Sequence, residues 1–214
     1  MSDSRAPLTR QRVAEAALAF IDEHGEAALS MRKLGAELGV EAMSLYNHVA
    51  NKDDLLDAVS EILYTDVLAR LNDDADLTWQ DELRDLAYRF RDVGREHKGA
   101  LGVFLDRITP SSVKYVFLER CYSIFTRAGF DTKEAAVAFD ISASWVIGAI
   151  RQELGLMADL EAMGGTTVPR EDLPAELQPV VDFTQACIAW TPAQRFDYGL
   201  DTVLAGLEWR LAQR

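Results

Sequence analysis

Ser30-Met-Arg-Lys-Leu-Gly-Ala-Glu-Leu-Gly-Val-Glu-Ala-Met-Ser-Leu-Tyr-Asn-His-Val49 is the stretch on which the reading of this chain turns. Ser30 is a helix N-cap, and Gly39 offers the positive φ with which a short helix ends. A second short helix from Glu41 to about His48 follows at once, the layout of a helix-turn-helix. Gly35 leaves room where the two helices cross, and Leu34, Leu38, Val40 and Leu45 fill the seam. Ser44, Tyr46, Asn47 and His48 then face outward on a helix of about two turns, short enough to enter a DNA major groove roughly 12 Å wide. A short αα-hairpin inside a helical bundle has the same spacing, so spacing alone leaves both readings open.

Outward from this stretch the period is helical throughout, which predicts an all-α chain of about ten helices. Thr9 caps a first helix carrying Val13, Ala17, Phe20 and Ile21 on one face, and Gly25 stops it. Asn51 caps a longer one with Leu55, Val59, Ile62, Leu63 and Val67. Thr78 opens another through Trp79, Leu83, Leu86, Phe90 and Val93, ended by a glycine-containing break at Lys98 to Gly102. Pro110 suits the first helical position after Thr109, and that helix runs to Ala128. Asp131 with Glu134, and Thr191 with Gln194, have capping-box spacing for two further helices. The first of these is apolar nearly all round and is expected to be buried on several sides. The stretch from Met163 to Pro169 is loop, and a shorter helix spans about Pro174 to Ala189. The resulting division is a helix-turn-helix domain at 1–52 and a helical effector-binding and dimerisation domain at 53–214.

Charge sets the constraint that any nucleic-acid reading must meet. The 214 residues carry a formal net charge of -13, which repels a polyanion at long range. The first 50 residues are the less acidic part, with five Lys or Arg against seven Asp or Glu, and Arg5, Arg10, Arg12, Arg32 and Lys33 cluster at helix starts. Cys121 and Cys187 belong to no CxxC or Cys/His cluster, so neither a metal nor a cofactor is called for. No run approaches the roughly 18 apolar residues of a membrane helix, and Met1-Ser-Asp-Ser-Arg5 lacks the apolar core of a secretory signal. The expected location is the cytoplasm, with no membrane partner.

Leu45-Tyr46-Asn47-His48-Val49 followed by Asn51-Lys52-Asp53-Asp54-Leu55-Leu56 resembles the signature Leu-Tyr-x-His-Phe/Val-x-x-Lys-x-x-Leu of the tetracycline-repressor (TetR) family. The likeness continues through Trp79-Gln-Asp81, Arg127-Ala-Gly-Phe130, Gly148-Ala149 and Phe196-Asp-Tyr-Gly-Leu-Asp201, and points to the branch from which the family takes its name. It implies a homodimer that sets one recognition helix in each half-site of a palindromic double-stranded DNA operator and represses transcription until a small-molecule effector binds. Position by position, it implies base contacts for Arg32, Ala42, Met43 and Ser44. Phosphate contacts are implied for Tyr46, His48 and Lys52, and Thr9 to Arg12 lie near the backbone. Asn47 shares the outward face.

The ligand side departs from that branch. Leu68 and Leu86 stand where a polar His and Asn hold the drug, Phe104 near a metal-binding His, and Gln152 at a Glu; only Phe90 persists. Without oxygen and imidazole ligands a magnesium chelate has nothing to bind. The expected effector is a metal-free, apolar or aromatic organic molecule among Leu68, Leu86, Phe90, Phe104, Tyr115, Trp145 and Met157, residues that core packing explains equally well. Phe139, Ala143, Gly148, Trp190, Leu200, Leu204, Leu207 and Leu211 are the dimer-interface candidates, or else intramolecular core. His97 reads as an exposed helix-end residue. Asp92, Glu96 and Asp106 read as a solvated acidic face rather than catalytic carboxylates. The alternatives are a helical small-molecule-binding or enzymatic protein whose N-terminal hairpin is only structural, and a helical adaptor; no nucleophile, metal cluster or phosphate loop speaks for an enzyme.

Overall fold

The computed structural model describes residues 7–72, 74, 76–107, 111–162 and 174–213. Among the described residues there are ten α-helices and no strand: α1 (Arg10–His24), α2 (Met31–Leu38), α3 (Ala42–Leu45), α4 (Lys52–Ala69), α5 (Trp79–Glu96), α6 (Leu101–Asp106), α7 (Ser112–Ala128), α8 (Thr132–Ala162), α9 (Gln178–Ala189) and α10 (Pro192–Ala212). The chain divides into two compact units, residues 1–124 and 125–214.

Local chemistry sets the helix ends. The side chains of Thr9, Ser30, Asn51, Thr78 and Thr191 each accept from a backbone N–H three residues on, and Thr191 with Gln194 completes a capping box. The break expected at Lys98 to Gly102 is instead a single 3-10 turn, Lys98–Ala100, running directly into α6. That helix buries Val103 and Phe104 but is too short to show a period. The recognition helix is also shorter than expected, with its regular part ending at Leu45 and turns continuing to His48. Thr109, Pro110 and the Met163 to Pro169 loop lie outside the described residues.

In the first unit α4 is the spine, with α1, α5 and α6 packed along it. Its Leu55, Val59, Leu63 and Val67 are fully buried, as are Val13, Ala17 and Ile21 of α1. In the second unit α10 packs on α8. Phe196, Leu200, Leu204 and Leu207 are buried there, and Gly199 lies so close to the Trp145 indole that a β-carbon would overlap the ring. Helix α8 is not buried on all sides within one protomer: Val137 and Ile141 are more than half exposed.

Candidate nucleic-acid interface and its connections

The hairpin of α2 and α3 is held by backbone proximity as well as by apolar packing. Gly39 takes φ 65, ψ 38 at the end of α2. A β-carbon on Gly35 would lie 2.9 Å from the Val40 carbonyl oxygen and 3.2 Å from Ala42 Cα. Only glycine lets the two helices approach this closely. Leu34 and Leu45 are fully buried in the seam, with Leu38 and Val40 half-buried at its edge. Opposite the seam, Met43 is 75% exposed, Tyr46 and Asn47 are exposed, and Ala42, Ser44 and His48 are half-exposed. Arg32, in the first turn of α2, is exposed as well. An exposed methionine beside short polar groups and a guanidinium suits thymine methyls and guanine edges.

Two cations near this surface are engaged structurally. Lys52 Nζ donates to the Leu29 carbonyl at 2.9 Å, tying the start of α4 to the segment before α2. Arg10 makes a two-pronged bond to Asp54, at 2.8 and 2.7 Å, while Asp54 also accepts from the Ala50 N–H at 2.7 Å. This clasp joins the starts of α1 and α4 on either side of the hairpin. The bonds from Arg10 and from Ala50 hold the Asp54 carboxyl below its ordinary range. A lowered carboxyl pKa stabilises the fold above the unfolded value and is lost as pH falls through the lower folded value. Asp54→Asn is therefore expected to flatten the acid side of the stability curve below about pH 4, by a modest amount because both side chains are partly solvated. Urea melts from pH 2.5 to 7 check this, and parallel curves for the two proteins would refute it.

The same unit connects this surface to α5 and α6. His97 is not an exposed end residue: it is half-buried, its Nδ1 2.7 Å from Asp22 Oδ2 at the end of α1. The cause is tertiary, since the 3-10 turn beside it lies directly on α1. A β-carbon on Gly99 would stand 2.5 Å from the Ile21 carbonyl oxygen and 2.8 Å from Asp22 Cα. At the other end of α6, Arg107 Nε donates to Asp57 at 2.6 Å and its Nη2 to the Asp53 carbonyl at 3.1 Å. Asp66, Glu96 and His97 group closely, and the Arg70 guanidinium bridges the two carboxylates at 2.6 and 2.7 Å. That cation lowers the Glu96 pKa and fills the role a metal ion would take.

The expected effector residues fall in both compact units. Phe90 stacks on Phe104 with centroids 4.4 Å apart, and Leu86 is buried on the same helix as Phe90. Leu68 is half-buried on α4, and Tyr115 is 62% exposed. Trp145 belongs to the second unit, where it packs on Phe196; the Met157 side chain lies outside the described residues. Two rings that the apolar stripes left out, Tyr64 and Phe117, complete the aromatic cluster, and Lys114 Nζ stands over the Tyr64 ring. Tyr64 lies 5.2 Å from Phe104 and 4.9 Å from Phe117, and burial pushes its hydroxyl up to about 12. Its signal was present in the α4 register, since residues 57, 60, 61 and 64 share a face. Cys121 is buried, its thiol pushed up to about 12 by desolvation, which leaves it inert. The Cys187 side chain lies outside the described residues.

Of the dimer candidates, Leu200, Leu204 and Leu207 are core within one protomer. Phe139, Ala143 and Leu211 are half-exposed, Gly148 is open, and Trp190 is 46% exposed. Trp145, Gln152, Glu153, Trp190, Arg195 and Tyr198 line a cleft of about 570 Å³ between α8 and α10. No helix among the described residues is long and apolar enough to cross a membrane.

Comparison with known proteins agrees with this arrangement. Residues 13–59 match the model of the bacterial regulatory proteins of the tetR family, and residues 72–211 that of the tetracyclin repressor-like C-terminal domain. The class D tetracycline repressor of Escherichia coli is 30% identical over 210 residues, covering 96% of this chain and 92% of that protein. The HTH-type transcriptional repressor DrrR1 of Streptomyces coeruleorubidus is 31% identical, covering 99% and 82%. The Streptomyces coelicolor TetR family protein ActR, solved in complex with (S)-DNPA, superposes with a TM-score of 0.79 at 28% identity, covering 98% of this chain and all of that one. Another ActR structure holds actinorhodin. With a glycine-crossed reading hairpin at one end and a helical body matched over most of its length, the chain belongs to the TetR family of ligand-responsive, dimeric, operator-binding transcriptional regulators, not to a family of enzymes.

Proposed function

We propose that two copies of this protein set their α3 segments into successive major grooves of a palindromic operator and repress transcription there, in the cytoplasm, until an aromatic organic effector binds. The observation that carries this reading is the solvent-facing set Arg32, Ala42, Met43, Ser44, Tyr46, Asn47 and His48 on a hairpin held rigid by Gly35 and the Arg10–Asp54 clasp. In this reading Arg32 takes guanine O6 and N7, Met43 packs on a thymine methyl, and Tyr46 and His48 hold phosphates. Lys52 reaches phosphate only by leaving the Leu29 carbonyl, so it works first as a fastener of the reading head.

The division of labour runs near residue 52, with 1–52 reading DNA and 53–214 binding effector and partner. It cuts across the compact units because α4 serves both sides. Dimerisation falls to the outward faces of α8 and α10, supported by the exposed apolar groups Val137, Ile141, Tyr198 and Trp209 together with the open Gly148. ActR, bound to actinorhodin and to (S)-DNPA, supports an organic effector for this chain too. Such a ligand acts by its differential affinity for the DNA-competent and DNA-incompetent spacings of the two heads.

Selection from a randomised DNA pool at about 100–150 mM salt tests the reading. The expected product is a palindrome whose half-site centres lie about one helical turn apart. Arg32→Ala is expected to lose roughly 1–3 kcal/mol of discrimination at one base pair of each half-site, with the other positions unchanged. Equal loss on operator and random DNA would overturn the assignment of Arg32.

A further inference from the structure

Lys114 is 8% exposed, yet it meets no carboxylate among the described residues. Its Nζ donates to the Arg107 carbonyl at 2.6 Å and stands 5.4 Å from the centroid of the Tyr64 ring. A buried ammonium satisfied by one neutral acceptor and one ring face is poorly compensated for its lost hydration, and burial draws its pKa down. The nearest acidic influences, Asp57 and Glu61, lie on α4, and Asp57 is already engaged by Arg107. A second group on that side is orphaned: the Ser60 hydroxyl is fully buried and has no hydrogen-bond partner among the described residues. Ser60 stands one turn before Tyr64 on the α4 face that also carries Asp57. Around these groups Tyr64, Phe90, Phe104 and Phe117 supply flat apolar surface.

We propose that Lys114 is the anchor of an anionic effector, an aromatic organic acid whose carboxylate takes the place of the Arg107 carbonyl at Nζ while its rings lie among Tyr64, Phe90, Phe104 and Phe117. The inference rests on the effector reading above and deepens it by naming the chemical class. A cation in a low-dielectric, aromatic surround gains more from a carboxylate than from a carbonyl. The Ser60 hydroxyl, one turn before Tyr64 on α4, is a further donor open to a polar group of the effector. The exchange also has a route to DNA. Arg107 binds Asp57 and the Asp53 carbonyl in the first turns of α4, beside Asp54 and Lys52. Withdrawing Lys114 from the Arg107 carbonyl frees the end of α6 from α7, and Arg107 is the residue whose guanidinium ties that end to α4. Because these rings pack against one another, the effector selects a state in which they part.

The test uses the full-length dimer and three acids of increasing ring size, benzoate, 1-naphthoate and anthraquinone-2-carboxylate, each paired with its neutral amide. Calorimetric titration gives affinity, and fluorescence anisotropy of the selected operator gives release. At least one acid is expected to bind about tenfold or more tightly than its amide, a difference of about 1.4 kcal/mol. In Lys114→Met the difference is expected to vanish, with the amide's affinity kept; Lys114→Arg, which preserves the charge, retains part of it. Equal affinities of acid and amide in the wild-type protein, or failure of every acid to bind, overturns the anion anchor. Amides that release operator while acids show no advantage leave the effector reading standing without the anchor. If neither acids nor amides bind or release operator, both fall.

Discussion

Phe104→Ala is expected to cost about 3–5 kcal/mol of stability, the usual loss when a fully buried aromatic ring is removed. For a chain of this size that lowers the melting temperature by roughly 10 °C. Phe104 is 0% exposed and is held by the stacked Phe90 and by Tyr64 edge-on, so the surrounding helices cannot collapse onto the space it leaves. Thermal and urea denaturation measure the loss directly. The same variant decides between two roles for the ring. A cost below about 1 kcal/mol would mean that Phe104 lines open space instead of filling core, because truncation at a cavity wall removes few contacts.

The second large effect is expected at Gly99→Ala. The added methyl would meet the Ile21 carbonyl oxygen and Asp22 Cα, both backbone atoms of α1, and neither can turn aside as a side-chain tip can. Relief requires the turn to lift off α1, which breaks the His97–Asp22 bond and leaves the half-buried Asp22 carboxylate, whose buried Oδ1 already has no partner among the described residues, without its imidazole. The loss is expected to be about 1–3 kcal/mol, as for other overpacked contacts. Amide hydrogen exchange should quicken at residues 97–101 and at the end of α1, while α8 and α10 stay protected. Unchanged melting and exchange would show that the turn and α1 are not held together as described. Because α1 lies largely in the region matched by the N-terminal family model and the turn in that matched by the C-terminal one, this seam is a direct contact between the two matched regions.

These variants mark the boundary between local and long-range information. The helix ends were legible because a cap is a contact over three residues: Thr9, Ser30, Asn51, Thr78 and Thr191 each hold the bond that their position implies. The reading hairpin was legible for the same reason, since Gly35, Gly39 and the residues they meet span less than ten positions. The short α6 was not, because six residues are too few to display a 3.6-residue period.

Apolar periodicity established that one face of each helix is buried but left open what it is buried against. Leu200, Leu204 and Leu207 have the spacing of an interface stripe and the structure turns them into their own protomer's core. Val137, Ile141, Tyr198 and Trp209 on α8 and α10 remain outside. Phe90 and Phe104 stack on each other, Tyr115 faces water, and Trp145 packs within the second unit, an arrangement that the apolar period of each helix does not carry. The sequence by itself determined the helical class, the caps, the reading hairpin and the family, because each rests on residues adjacent in the chain or on a local signature. Tertiary structure alone decided that Lys114 is buried with Tyr64, that Arg107 grips α4 and that Gly99 touches α1. Those contacts bring together residues about 50 to 80 positions apart, and the energy of such an encounter depends on how whole helices dock, which no local pattern encodes.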